Sequence, residues 1–264
     1  MNLAAADGPV FWQDLSQGPR PALAIHCALA HSAEWVGVAD RLAGLRLRAF
    51  DLPGHGLSAD WPGGGDYLAA SRAAALGLID EPVDLIGHSL GAVVALAVAE
   101  ARPEAVRTLT LIEPVLFAAV AGTPDWRALR AQLAPFEAAM RQGDPIAATR
   151  AFTAVWGAGA DWDRIGVRAQ SYMTDRIHLI SETTRVTEED SGGLLAEGAL
   201  ETLTMPVMLV HGTASPPAAG AICEAIAARL PDVGVATVQG AGHMVPVTHP
   251  AQTAGLIAAN LERA

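Results

Sequence analysis

The chain has 264 residues, 51% of them apolar and 17% charged, with 26 Gly and 17 Pro, a composition that excludes disorder for most of its length and allows a sizeable core. Its 17 basic residues are all Arg, and against 28 acids they leave a net charge of −11, which excludes lysine Schiff-base, P-loop-lysine and pyridoxal-phosphate chemistry and opposes nucleic acid or an anionic membrane as partner. Cys27 and Cys223 lie far apart without metal-ligand spacing, and neither a leader pattern nor a run of the ~18 apolar residues that a membrane span needs is present, so the expectations are no disulfide, no metal, no cofactor and a cytoplasmic monomer or homodimer.

In chain order, Leu23–His26, Leu45–Asp51 and Val83–Gly87 are strand-like apolar runs, with helical patterns near 32–43, 67–79 and 89–101. Alternation of this kind implies a parallel sheet. Arg107–Glu113 reads as a fourth strand. About ninety residues then follow with helical spacing only. Trp126, Leu129, Leu133, Phe136 and Met140 share one helix face, with Thr123 or Asp125 as cap and Gly143 as stop, and further helices are expected at 145–156, 162–173 and 174–183. Glu188–Gly198 reads as a linker, Val207–His211 and Val233–Val238 as strands, and 250–262 as a last helix. The layout is α/β, a mostly parallel doubly wound sheet over 1–114 and 205–264 interrupted by a helical insertion at 115–204.

Gly87-His88-Ser89-Leu90-Gly91 sits between an apolar strand and an amphipathic helix, which is G-x-S-x-G in the strand-turn-helix context that exposes a serine as nucleophile. The glycines answer a turn too sharp for β-carbons on either side of the serine. The N–H of Leu90, at the start of the helix, is then positioned to bind an oxyanion.

With AIHCALAHSAEW at 24–35, FDLPGHGLS at 50–58, LIGHSLG at 85–91, MPVMLVHG at 205–212 and GAGHMVPVTHP at 240–250, the sequence resembles an α/β-hydrolase-fold serine hydrolase over essentially its whole length. The resemblance implies His243 as catalytic base, about 150 residues beyond Ser89, and 115–204 as a helical cap. It also implies Ala28 as second oxyanion donor, with Cys27 where the family usually has glycine, and support or pocket roles for His26, His55 and His88. The chain departs from the pattern at the acid. After the 207–211 strand the family usually reads Gly-x-x-Asp, whereas Gly212-Thr213-Ala214-Ser215 puts a serine there. Glu113, at the end of the strand that follows the nucleophile helix, is the displaced acid that some relatives use. An acid from the cap such as Asp190, or a Glu113 that only orders the cap entrance, are the alternatives.

Phe117, Trp126, Phe136, Phe152, Trp156, Trp162 and Tyr172 fall within the insertion and favour an apolar, partly aromatic pocket, with Trp156, Phe152 and His31 as lining candidates, although many of these aromatics also serve the helices' own core. The functional expectation is a small, largely apolar ester or lactone cleaved through an acyl-enzyme on Ser89. The alternatives are a carbon–carbon bond hydrolase of a ring-cleavage product, which needs a basic group for its substrate's carboxylate, and a hydrolase-fold binding protein without catalysis.

Overall fold

The protein was described by a computed structural model covering residues 2–5, 8–157, 159 and 161–264. Eight strands, β1 (Asn2–Ala5), β2 (Gly8–Asp14), β3 (Arg20–Ile25), β4 (Leu45–Phe50), β5 (Val83–His88), β6 (Val106–Ile112), β7 (Val207–Gly212) and β8 (Val233–Val238), form one sheet in the order β1-β2-β4-β3-β5-β6-β7-β8. The pairings from β4 through β8 are parallel, while β1 with β2 and β2 with β4 are antiparallel. The fold class is therefore the expected one, extended by an antiparallel edge.

Successive side chains on a strand point to opposite faces, and both faces of this sheet are covered. Leu23 and Ile25 pack with Leu85, Leu109, Leu111, Val207 and Leu209 in one core, and Ala22 and Ala24 pack with Leu45, Leu47, Ile86, Ile112 and Val210 in the other. The first core is closed by α2 (Tyr67–Leu76), α3 (Leu90–Ala101) and α8 (Pro217–Ala227), the second by α1 (Val36–Ala39) and α10 (Pro250–Leu261). Residues Leu90 to Ala99 of α3 are all buried and apolar, as suits a helix packed on β5, β6 and β3 with α2 beside it.

Between β6 and β7 the chain forms α4 (Pro124–Gln142), α5 (Pro145–Trp156), α6 (Val167–Arg176) and α7 (Leu179–Glu189). Thr123 caps α4 by accepting from the Trp126 N–H, and Gly143 ends it. A short α9 (Val245–Thr248) precedes α10.

Several local expectations are corrected. The helix expected at 32–43 is a 3-10 turn, Ser32–Trp35, running into the four residues of α1, because the Ser32 N–H is drawn to Asp51 Oδ1 at 2.7 Å and the chain turns off at Leu42 toward β4. The two helices expected at 162–183 are shifted: Asp161 caps a 3-10 turn at Trp162–Arg164, Ile165 is extended, and α6 begins after Gly166. The expected linker starts with the last turn of α7. Asp190, at φ 50°, ends that helix and accepts the N–H groups of Leu194 and Leu195 at 2.9 and 2.8 Å. The helix α8, rich in Ala, was not expected.

Candidate active site

Parallel α/β sheets gather functional groups at the C-terminal ends of their strands, and the ends of β3, β5, β6 and β8 meet here. Ser89 follows β5 with φ 56° and ψ −117°, a conformation that costs a non-glycine residue of order 1–3 kcal/mol and persists only where surroundings enforce it. They do so here. A β-carbon on Gly87 would lie 2.3 Å from the Gly91 carbonyl oxygen, and one on Gly91 would lie 2.3 Å from the Ile25 carbonyl oxygen, so both positions are confined to glycine. The Ser89 N–H donates to Ile112 O at 2.8 Å, fixing the turn to β6.

His243 stands on the loop between β8 and α9. Its Nε2 lies 2.9 Å from Ser89 Oγ and its Nδ1 2.9 Å from Glu113 Oε2. Glu113 follows β6 at φ 51°, and this left-handed turn at the strand end directs the carboxylate under the histidine. Its other oxygen, Oε1, accepts the Gly212 N–H and the Ser215 hydroxyl, both at 2.7 Å. All three groups are buried. Burial pushes the Glu113 carboxyl up, but the hydrogen bond and charge of His243, with the Gly212 and Ser215 donors, outweigh it and hold the group below its usual range. Burial lowers His243 below the ordinary histidine value despite the Glu113 carboxylate, which leaves a neutral imidazole at pH 7.

The loop after β3 is held by histidines. His26 donates from Nδ1 to Cys27 O at 2.7 Å and accepts the Leu52 N–H on Nε2 at 2.9 Å, while His55 donates to Pro53 O at 3.0 Å and accepts the Leu29 N–H at 3.1 Å. Each must be neutral to accept on Nε2, and burial lowers the pKa of both. The Cys27 N–H goes to Glu34 at 3.0 Å. Ala28, between two residues whose N–H groups are taken, has no acceptor for its own among the described residues and lines the cavity over Ser89. Leu90, at the first position of α3, lines it too, and its N–H has no intrahelical acceptor. The Cys27 side chain is buried and its thiol is pushed well up by burial, so it is a packing residue and not a nucleophile.

The cavity has a volume of about 510 Å³ and runs from Ser89, His243 and Ala28 under α4 to α7. Phe117, Leu133, Phe136, Met140, Phe152 and Trp156 form its apolar wall. Trp156 does more than line it, since its ring meets the His243 imidazole edge to face at 4.5 Å. Phe152 packs on Phe136 at 5.4 Å. His31 is corrected: it is exposed, is not among the lining residues, and packs edge-on to Tyr172 while Nδ1 accepts from Ala33 N. Asp190 is engaged with the Leu194 and Leu195 N–H groups, and the carboxylate on His243 Nδ1 is that of Glu113.

The contacts of three residues escaped the sequence reading. Ser215 stands where the family usually has its acid and donates to Glu113 Oε1. Tyr172 of α6 accepts the Gly56 N–H and donates to Ala30 O, both at 2.8 Å, tying the insertion to two core loops. Glu34 pairs with His88 at 2.5 Å, and the ligand-type atoms of Cys27, Glu34 and His88 lie within 4.8 Å of one another, a juxtaposition that the wide spacing of the cysteines did not signal. Both oxygens of Glu34 are engaged, by His88 and by the Cys27 N–H.

The sequence model of the alpha/beta hydrolase family matches residues 22–256. This chain belongs to that family. It is an enzyme, a hydrolase. Among curated relatives, it is 32% identical over 233 residues to a pimeloyl-[acyl-carrier protein] methyl ester esterase of Aromatoleum aromaticum, covering 81% of this chain and 87% of that one. It is 30% identical over 260 residues to the protein of the same name from Methylococcus capsulatus, covering 94% and 96%. Among solved structures, a hydrolase from Pseudomonas aeruginosa superposes with a TM-score of 0.78 over 99% of this chain and 97% of that one at 22% identity, a likeness of fold. Among the described residues, no helix of this hydrolase is long and apolar enough to cross a membrane.

Proposed function

We propose that this hydrolase is a serine esterase that cleaves a small, largely apolar carboxylic ester or lactone through an acyl-enzyme. The observation that carries this reading is the hydrogen-bonded chain from Ser89 through His243 to Glu113 at the floor of an apolar cavity.

Ser89 Oγ attacks the ester carbonyl as His243 Nε2 takes its proton, and Glu113 stabilises the imidazolium that forms. The oxyanion receives the N–H groups of Ala28 and Leu90; one such donor is worth about 2.7–4 kcal/mol in the transition state. His243 returns the proton to the leaving alcohol, and water, activated by the same histidine, releases the acid. No step needs a cofactor. The insertion, as a cap over residues 115–204, excludes solvent and selects the acyl or alcohol part through its apolar wall.

The carbon–carbon hydrolase reading is weaker because the arginines that line the cavity are already paired. Arg130 lies 2.9 Å from Glu137 and 2.9 Å from Glu188, and Arg141 lies 4.0 Å from Glu137, which favours a neutral substrate over a carboxylate. The names of the relatives add methyl esters, both free and carried on an acyl-carrier protein, to the substrates worth trying.

The test pairs a panel of esters and lactones of graded acyl length with covalent labelling by a fluorophosphonate. Turnover and labelling are expected for the native chain and neither for Ser89→Ala, with the loss of turnover about 10⁴-fold or more and the fold retained. A protein that takes up no label would be a binding protein. Retention of more than a tenth of the activity in Ser89→Ala would remove Ser89 as nucleophile.

A further inference from the structure

Behind the reacting groups lies a second acid–imidazole pair that the proposed chemistry does not use. Glu34 extends from the 3-10 turn after the oxyanion loop, and its side chain is 2% exposed; the His88 side chain is fully buried. One Glu34 oxygen lies 2.5 Å from His88 Nδ1, and the other accepts the Cys27 N–H at 3.0 Å. On the far side of the ring, Nε2 lies 2.8 Å from the main-chain oxygen of His243. A carbonyl oxygen only accepts, so Nε2 carries a proton, and Nδ1 shares another with the carboxylate. One continuous bridge therefore runs from the peptide N–H just before Ala28 to the backbone of His243.

Both ends of the bridge belong to separate stretches of chain. The Cys27 N–H follows β3 and His243 follows β8, and catalysis on one tetrahedral carbon needs the adjoining Ala28 N–H from the first stretch and an imidazole from the second in fixed relation. We infer that Glu34 and His88 are positioning residues which lock the oxyanion loop to the loop of the base, so that the donor and the base are held in register for the transition state. This rests on the esterase reading above. The titratable groups facing the pair are Cys27 and His26 on the loop after β3, Glu113 after β6, and the His243 ring, whose centroid is 5.1 Å from that of His88. Burial opposes the charge on His88, but Glu34 outweighs it and raises the imidazole above its ordinary value.

The bridge makes an unusual demand on substitutions at residue 34. Gln is isosteric with Glu and can keep both contacts with a neutral His88: its carbonyl accepts the Cys27 N–H and its amide donates to Nδ1, while Nε2–H stays on His243 O. Ala keeps neither. Asp keeps the charge but withdraws it by one methylene.

The experiment measures kcat, KM and melting temperature of Glu34→Ala, Glu34→Gln and Glu34→Asp on the best ester of the panel, with the affinity of a trifluoromethyl ketone as a report on oxyanion binding. Glu34→Ala is expected to lose about 30-fold or more in kcat with KM changed less than threefold, and to bind the ketone correspondingly more weakly. Glu34→Gln is expected to recover activity to within fivefold of the native protein. Should Glu34→Ala not fold, Glu34→Asp carries the test, with a loss of at least tenfold in kcat at unchanged KM. Native-like kcat in whichever of these two folds would overturn the inference, as would a Glu34→Gln that is folded and as slow as Glu34→Ala. Failure of the native chain to turn over any ester or take up fluorophosphonate would instead be a failure of the esterase reading.

Discussion

Ser215 donates its hydroxyl to Glu113 Oε1 at 2.7 Å, so the residue at the family's usual acid position holds the acid that lies one strand away. With the Gly212 N–H it occupies one carboxylate oxygen and leaves the other for His243. Glu113→Gln is expected to keep the fold and lower kcat by about 10³ to 10⁴, since an amide favours the wrong histidine tautomer and cannot stabilise imidazolium. Ser215→Ala removes a hydrogen bond to a charged group, worth about 1.5–3 kcal/mol in Glu113 ionisation, and is expected to cost several-fold in kcat. Steady-state kinetics of both, with Glu113→Gln/Ser215→Asp as the double variant, checks the arrangement. Near-native activity in Glu113→Gln would remove Glu113 from the mechanism.

The pH dependence follows from the direction of the His243 shift. Burial lowers its pKa below the ordinary value of about 6.5, and only the neutral ring can accept the Ser89 proton. On a neutral ester, kcat/KM is therefore expected to rise with pH through a midpoint below 6.5 and to be level by pH 7. A midpoint above 7 in the measured profile, with chemistry limiting, would contradict the base role.

What the sequence disclosed was local. Strand–helix alternation and Gly87-His88-Ser89-Leu90-Gly91 are short-range patterns, and the sheet from β3 to β8 and the serine turn follow from them. Glu113 was reached only through resemblance, because nothing in a strand-end Glu before Pro114 announces a histidine 130 positions away. Ser215 as donor and Glu34 as bridge are likewise long-range hydrogen bonds between unremarkable polar residues. The strands β1 and β2 were missed because the apolar runs read as strands begin only at Leu23 and the pairing of β2 with β4 is non-local. Helix α8 hides its period because small residues, five Ala and one Gly among the eleven of Pro217–Ala227, dilute the apolar pattern.

Two aromatics of the cavity separate into different roles. Trp156 touches the His243 ring, so Trp156→Ala is expected to slow every ester by a similar factor, about 10-fold or more. Phe152 packs against Phe136 away from the reacting groups, and Phe152→Ala is expected to change the ratio of kcat/KM between long and short acyl chains, each methylene in such a wall being worth about 1–3 kcal/mol. The two variants on one acyl series provide the measurement, and a uniform loss in Phe152→Ala would make that residue structural.

Glu100 predicts a pH-dependent stability unconnected with catalysis. It lies near the end of α3, half-buried, with Oε1 lacking a hydrogen-bond partner among the described residues. Burial raises its pKa to about 7, the charge of Asp190 adds to the effect, and Arg72 and Arg229 only partly oppose it. In the unfolded chain a glutamate titrates near 4.3, so between about pH 4.3 and 7 the folded state binds more protons than the unfolded one. The sign follows: this group's contribution to stability falls as pH rises through that window, and above pH 7 the folded protein carries a half-buried, poorly paired carboxylate. Glu100→Gln keeps the shape and removes the charge. Melting temperatures of both proteins at pH 5 and pH 8 decide the matter, because the other titrating groups cancel in the comparison. The variant's advantage over the native chain is expected to be larger at pH 8 than at pH 5, and a difference that stays constant across that range would show that Glu100 is already ionised in the folded protein throughout.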